Sequence, residues 1–134
     1  MNQISDIENK VTEEYIKEHA SRIENSDFEK VLNNSGKIES KFRSAARIKH
    51  FFAQAKLLIS LVRDYWNGSY RQLPYWAIGS AVFTLLYVFN TFDLIMDFIP
   101  GIGMLDDAAV FSICLFLFDK EIQAYAKWKE DNTH

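Results

Sequence analysis

Residues 75–89 read YWAIGSAVFTLLYVF, and this run decides the fold. It belongs to a longer stretch, 72–92, of 21 residues without a charged side chain. Hydrophobic residues occupy every side of a helix built from it, with a smaller face formed by Ala77, Ser80, Ala81 and Thr84. A helix that is apolar all round lies in the centre of a protein core or in a membrane. The run therefore predicts a central helix and leaves both surroundings open.

The flanks of this run favour a membrane, whereas the next apolar stretch does not. Tyr70, Tyr75 and Trp76 are aromatic residues of the kind found at membrane–water interfaces. The second stretch, Ala108–Phe118, has 11 residues, too few to cross a bilayer alone. A two-helix membrane hairpin would also carry aspartates toward the hydrocarbon. Each charge at a helix centre costs about 2.5–3.5 kcal/mol there. A protein core and a shallow membrane insertion both remain open.

Helical periodicity continues on both sides, and no segment shows the apolar–polar alternation of a strand. The pattern predicts a helix over Ser5–Ile23, a short helical piece around Phe28–Leu32 between two turns, and a long helix ending at Asn67-Gly68. The apolar stripe of the long helix is Phe42, Ala45, Ile48, Phe52, Ala55, Ile59, Val62 and Trp66. A last helix carries the stripe Ile122, Tyr125 and Trp128.

These elements predict an all-α bundle of four to five helices. The central apolar helix and the segment Ala108–Trp128 form a helix-turn-helix hairpin around Asp93–Asp107. The 134 residues have the length of one domain. We expect residues 1–40 to be an N-terminal amphipathic helical extension and residues 41–134 the main helical domain, together one compact unit.

Charge is zoned along the chain, although the net charge is only −3. Residues 41–73 contain one acid and seven bases, and acidic segments flank them. No nucleic-acid-binding motif accompanies these bases, so we expect no nucleic-acid partner. We expect contact with acidic headgroups or an acidic partner through Arg43, Arg47, Lys56, Arg63 and Arg71.

Four aspartates surround a glycine-containing turn. Asp93 and Asp97 are four residues apart and share one helix face, and Asp106 and Asp107 follow a turn made by Pro100, Gly101 and Gly103. A cluster of carboxylates suits Mg²⁺ or Ca²⁺, or a proton site in a membrane. Helix capping and anchoring of the turn explain each position separately. We therefore expect structural roles and no bound metal.

Residues for a catalytic relay are missing from the pattern. His19, His50 and His134 lie in unrelated polar settings, and Cys114 lies within an apolar helix, which indicates a buried, unreactive thiol. A single cysteine forms no internal disulfide. The first ten residues have no apolar stretch like that of a signal peptide, so we expect a protein on the cytoplasmic side. We expect no enzymatic activity and no cofactor.

Residues 93–107 read DLIMDFIPGIGMLDD and resemble the motif of the YkvA-like family, whose usual form is SPxDLIPDFIPxxGxxDD. The resemblance extends over about residues 50–130, through Asp64, the Gly68–Arg71 segment, Pro74, Tyr125 and Trp128. Thr91 and Met96 stand where the family usually has proline, which predicts helical geometry continuing from Tyr75 toward Phe98. The resemblance implies a small helical protein, often membrane-associated, of unknown function.

Three functions fit these observations. The first is a membrane-associated accessory or scaffold protein, inserted in or attached to the inner membrane. The alternative is a soluble cytoplasmic immunity or antitoxin-type protein that neutralises a toxin through an acidic face, formed by Glu8, Glu13, Glu14, Glu18 and Glu24. The third, a metal-dependent enzyme, requires the aspartates to bind a metal. We expect a protein partner, and the oligomeric state stays open.

Overall fold

The described part of the protein is all-helical. The structure is a computed structural model and describes residues 13–14, 16–45, 48–89 and 107–132, with side chains from Val110 onward in the last range. Residues 13–14 and 16–20 are helical, and no described residue lies in a strand. The further elements are α1 (Asn25–Asn33), α2 (Ser35–Ser44), a 3-10 helix (Lys49–Phe51), α3 (Phe52–Trp66), α4 (Tyr75–Phe89), α5 (Asp107–Leu117) and α6 (Asp119–Asp131). The all-α prediction is confirmed, with more helices than the four to five expected.

The predicted central helix corresponds to α4 residue for residue. Every residue from Ala77 to Val88 is buried. The helices α1, α2, α3 and α5 pack against α4 and cover residues 77–88. Tyr75 and Trp76, at the start of the helix, are exposed. Removal of this surface from water, worth about 25 cal/mol per Å², makes α4 the centre of the core. Within the described ranges, no helix has the length and hydrophobicity that a membrane crossing requires.

The long helix predicted to end at Asn67-Gly68 is in fact two helices, α2 and α3. Ala45 has extended backbone angles, φ −87° and ψ 118°, and ends α2. The Phe111 ring lies 4.9 Å from the Phe42 ring and 5.0 Å from the Phe51 ring. In a continuous helix, residues 42 and 51 would be about 13.5 Å apart along the axis and on opposite faces. The break allows both rings to reach Phe111, a contact that local sequence does not encode.

Residues on both sides of position 40, the predicted domain boundary, contact the same helices. α2 runs through position 40, and both α1 and α2 pack on α3 and α4. Phe28 of α1 stacks on Trp66 with ring centroids 5.3 Å apart. Trp66, which the predicted stripe places in the core, is 36% exposed. It therefore covers the edge of the core rather than filling it.

The end of α3 follows the predicted pattern. Gly68 has a φ of +87°, a conformation that residues with a Cβ rarely adopt. The Asn67 backbone N–H donates to the Arg63 carbonyl at 3.0 Å, and the Asn67 side chain accepts from the Ser69 N–H at 2.9 Å. These bonds satisfy backbone groups that the helix end leaves free. The predicted stop at Asn67-Gly68 is confirmed.

The N-terminal helical residues reach α4 through a close backbone approach. Ile16 and Ala20 are fully buried. A Cβ placed on Gly79 would lie 3.1 Å from the carbonyl carbon of Ala20 and closer still to its oxygen. The missing side chain of Gly79 is what permits this approach. The helix predicted over Ser5–Ile23 is present in its described part as far as Ala20, after which the chain turns.

The predicted hairpin partner of α4 is α5, which packs directly against it. The Cys114 Sγ donates a hydrogen bond to the Ser80 carbonyl oxygen at 3.6 Å. The segment 90–106, which includes the predicted turn and the predicted helical continuation toward Phe98, lies outside the described residues.

Cys114 is expected to be unreactive in the folded protein. Its side chain is fully buried, and burial raises the pKa of the thiol from 9.0 to about 12. Because the thiolate is the reactive form, labelling requires both opening of the core and deprotonation. We expect maleimide labelling at neutral pH to be about a hundredfold slower, or more, in native protein than in guanidinium. Equal rates in the two states contradict the buried position of Cys114.

Candidate functional site

Much of the predicted aspartate site lies outside the described residues. This holds for Asp93, Asp97 and Asp106 and for the turn residues Pro100, Gly101 and Gly103. Asp107 begins α5, at the position expected of a residue near the helix N-terminus, but its side chain is not described. The described residues contain no group of three or more histidine, cysteine, aspartate or glutamate side chains placed to hold a metal ion. The structural and metal interpretations of the aspartates therefore stay predictions.

The predicted basic residues separate into two places. Arg43 of α2 and Lys56 of α3 both lie over the ring of Phe52, with charged atoms 5.2 Å and 5.5 Å from its centroid. Arg71 lies elsewhere, where its Nε donates to the Tyr65 carbonyl at 2.7 Å and its guanidinium covers the Tyr65 ring. Arg71 thus holds the chain after α3 in place. Arg47 lies outside the described residues.

Lys56 and Arg63 line a cleft between α3 and α6 with a volume of about 350 Å³. Lys56, Ser60 and Arg63 are spaced four and three residues apart, so they share one face of α3. Lys129 lines the cleft from α6, and Glu39 lines it from α2. The apolar part of the wall consists of the side chains of Ala53, Leu57 and Ile59. The cleft therefore brings together three cationic side chains and one carboxylate from three helices.

A chain of hydrogen bonds joins the two main walls of the cleft. The Lys129 ammonium donates to the Ser60 hydroxyl oxygen at 2.5 Å, and the Ser60 and Tyr125 hydroxyls lie 2.7 Å apart. The Tyr125 hydroxyl donates to the Asp64 carboxylate at 2.6 Å. Ser60 must then donate to Tyr125, because the Tyr125 proton is committed to Asp64. The polar chain thus runs in one direction, from Lys129 to Asp64.

Tyr125 is the buried anchor of this chain. Its side chain is fully buried, and Tyr70 packs on its ring with centroids 5.0 Å apart. Burial, and next the hydrogen bond to the Asp64 carboxylate, raise the pKa of Tyr125 well above its usual value. Tyr125 therefore stays neutral at physiological pH and serves as a fixed hydrogen-bonding group.

Lys56 and Arg63 keep their charges available to the cleft. Among the described residues, neither forms an ion pair with a carboxylate. Asp64 follows Arg63 directly, but it accepts the Tyr125 hydroxyl. Unpaired cations beside a solvent-filled depression attract anions from solution. The cleft is therefore chemically suited to anions, which its cations would hold through charge-assisted hydrogen bonds.

The sequence identified part of this site. It indicated Lys56 and Arg63 as basic residues and placed Tyr125 in the apolar stripe of the last helix, but it did not single out Lys129. The helical spacing of Lys56, Ser60 and Arg63 was a usable signal for one wall of the cleft. Nothing local connects α3 with Lys129, since the two approach only when α6 folds back.

Together the fold and this cleft define a small helical protein with a cluster of cationic side chains on its surface. Residues 77–113 match the family described as "Protein of unknown function (DUF1232)". A region of 69 residues is 35% identical to "Uncharacterized membrane protein YkvA" of Bacillus subtilis (strain 168). The match covers 52% of this chain and 65% of that relative, just under two thirds of its length. No solved structure gives a significant match. These matches agree with the resemblance of the Asp93–Asp107 motif to the YkvA-like family.

Proposed function

We propose that the protein is a non-enzymatic, membrane-associated accessory protein that attaches to an acidic membrane surface from the cytoplasmic side. The attachment surface, here called the basic face, consists of Arg43, Lys56, Arg63 and Lys129. One observation carries the proposal: Arg43 and Lys56 share the Phe52 ring, while Lys56, Arg63 and Lys129 line one cleft. Three helices thus contribute to one continuous cationic patch.

The burial of α4 supports attachment through this surface. Because the protein's own helices cover α4, lipid contact in the described state falls to surface residues. Each basic residue near an anionic bilayer contributes about 1 kcal/mol, and the attraction decays within a Debye length of about 8 Å at physiological salt. The printed name of the Bacillus relative, a membrane protein, agrees with such attachment.

Vesicle sedimentation tests the proposal. We expect the full chain to bind vesicles of phosphatidylcholine with phosphatidylserine, and to leave vesicles of phosphatidylcholine alone in solution. Binding should weaken as salt rises. The double variant Arg43→Glu with Lys56→Glu should lower the partition coefficient at least about tenfold, because two attractions become repulsions.

A charge-matched variant serves as the control. Arg22→Glu with Lys127→Glu changes the net charge equally at two exposed positions outside the basic face. Lys127 lies about 200° around α6 from Lys129, on the opposite side of the helix. Equal losses in the two double variants would contradict the basic face. Absence of binding to every vesicle would contradict membrane attachment and redirect the search to protein partners, including a toxin.

A further inference from the structure

Side chains of the cleft between α3 and α6 are held in place by hydrogen bonds, which attraction to a charged surface does not require. A diffuse surface attraction needs only exposed lysine and arginine side chains. Here the ammonium of Lys129 is held by the Ser60 hydroxyl, and Ser60 is held in turn by the buried Tyr125. The ammonium also lies 5.9 Å from the centroid of the Tyr125 ring. A lysine side chain positioned in this way has lost part of its rotamer freedom before any ligand arrives.

The opposite wall supplies two cations of different geometry. Lys56 offers a compact ammonium, whereas Arg63 offers a planar guanidinium that forms paired hydrogen bonds to oxyanions. Both line the same depression of about 350 Å³, which is near the lower size limit of ligand pockets. The cleft therefore suits a small, highly charged chemical group and is too small for a large apolar ligand.

We propose that this cleft binds one phosphate monoester, with Lys56, Arg63 and Lys129 contacting its oxygens. A monoester carries a charge of about −1.5 to −2 at neutral pH and presents three acceptor oxygens. Phosphodiesters and carboxylates carry a single negative charge, so three cations compensate a monoester better. Ser60, Tyr125 and Asp64 are positioning residues that keep the Lys129 ammonium at the wall. The inference deepens the proposed function and rests on it, since the basic face supplies the ligands.

Glu39 allows a test in which a substitution should strengthen phosphate binding. Its carboxylate lines the same cleft and repels an anion bound there. Removing the charge with Glu39→Gln should tighten phosphate binding about two- to fivefold, a gain that loss of a structural contact does not produce. Glu29→Gln, an exposed position on α1, removes the same charge outside the cleft and should leave binding unchanged.

Calorimetric titration of the full chain with glycerol 3-phosphate and with inorganic phosphate provides the first test. We expect saturable binding of both, weakened at least about tenfold in Arg63→Gln. Lys127→Gln, on the other side of α6, should bind like the unmodified protein. Thermal melting verifies that each variant is folded. Lack of saturable binding in the folded protein, or equal losses in Arg63→Gln and Lys127→Gln, overturns the proposal.

Vesicles distinguish the two sources of a phosphate monoester. One set contains about 20% phosphatidic acid and another about 40% phosphatidylserine, which match in charge because the monoester carries about two charges. Stronger binding to phosphatidic acid, lost in Arg63→Gln, supports a lipid headgroup as the source. Binding of the soluble esters without this lipid preference supports a free phosphate compound. Equal binding to both vesicle sets, with no binding of soluble esters, refutes the phosphate site but leaves membrane attachment intact.

Discussion

Replacing Phe111 by alanine is expected to lower the free energy of unfolding by about 3–5 kcal/mol, the usual cost of deleting a buried phenylalanine ring. Phe111 is fully buried and lies against the rings of Phe42 and Phe51. It therefore joins α5 to α2 and to the 3-10 helix across the break at Ala45. Domains of this size are stable by only about 5–15 kcal/mol, so the loss is a large share of the total. Urea denaturation followed by circular dichroism measures it.

Phe116→Ala is the matched control for this prediction. Phe116 lies on the same helix but is 75% exposed. Its removal leaves no enclosed cavity, and the free energy of unfolding should change by less than about 0.5 kcal/mol. Similar losses in the two variants would show that α5 is oriented differently on the core. If Phe111→Ala is too unstable to purify, Phe111→Leu, which keeps most of the volume, should show a smaller loss in the same direction.

The second large effect is expected at Gly79. The Cβ of Gly79→Ala would meet the backbone carbonyl of Ala20, which has no flexible end that can rotate away. Overpacking of this kind costs about 1–3 kcal/mol, and the gain in helix propensity of about 1 kcal/mol offsets only part of it. We expect a net loss of stability and increased amide hydrogen exchange in residues 16–20, because the N-terminal segment must move away from α4. Gly79→Leu should enlarge both effects.

Gly36→Ala should change stability in the opposite direction. Gly36 lies in α2, is exposed, and has no atom within 4 Å of a Cβ placed on it. Alanine there should stabilise the protein by about 0.5–1 kcal/mol through backbone entropy alone. A comparison of the two glycines thus isolates the steric contact from the general preference of helices for alanine. Equal stabilisation by both substitutions would contradict the close approach of residues 16–20 to α4.

The elements encoded locally were predictable. The boundaries of α4 followed from an uncharged run behind Pro74, and the end of α3 followed from Asn67-Gly68, which favours a left-handed helix cap. The break at Ala45 was not predictable, because neither glycine nor proline marks it. It exists because Phe42 and Phe51 reach the same ring of α5, and these contacts join residues about seventy and sixty positions apart. Tertiary packing overrode the local preference for one long helix.

The candidate site also has a part that the sequence indicated and a part that only the tertiary structure shows. Sequence indicated a basic segment and placed Lys56 and Arg63 within it, but the periodicity of a single helix does not show what faces it. Lys129 and Tyr125 reach Ser60 from positions more than sixty residues later in the chain. Arg71, which the sequence grouped with the other cations, stacks on Tyr65 instead. The basic residues of α3 and α6 therefore come together in one cleft only through the packing of α6 on α3.

The sequence by itself determined the fold class, the central helix, the burial of Cys114 and the resemblance to the YkvA-like family, because these depend on composition, periodicity and a contiguous motif. The tertiary structure alone decided that the protein's own helices surround α4, that the chain breaks at Ala45, and that three cations share one cleft. The physical reason is that burial and electrostatic proximity are properties of pairs of segments. Their energies depend on distances across the fold, which no local pattern specifies.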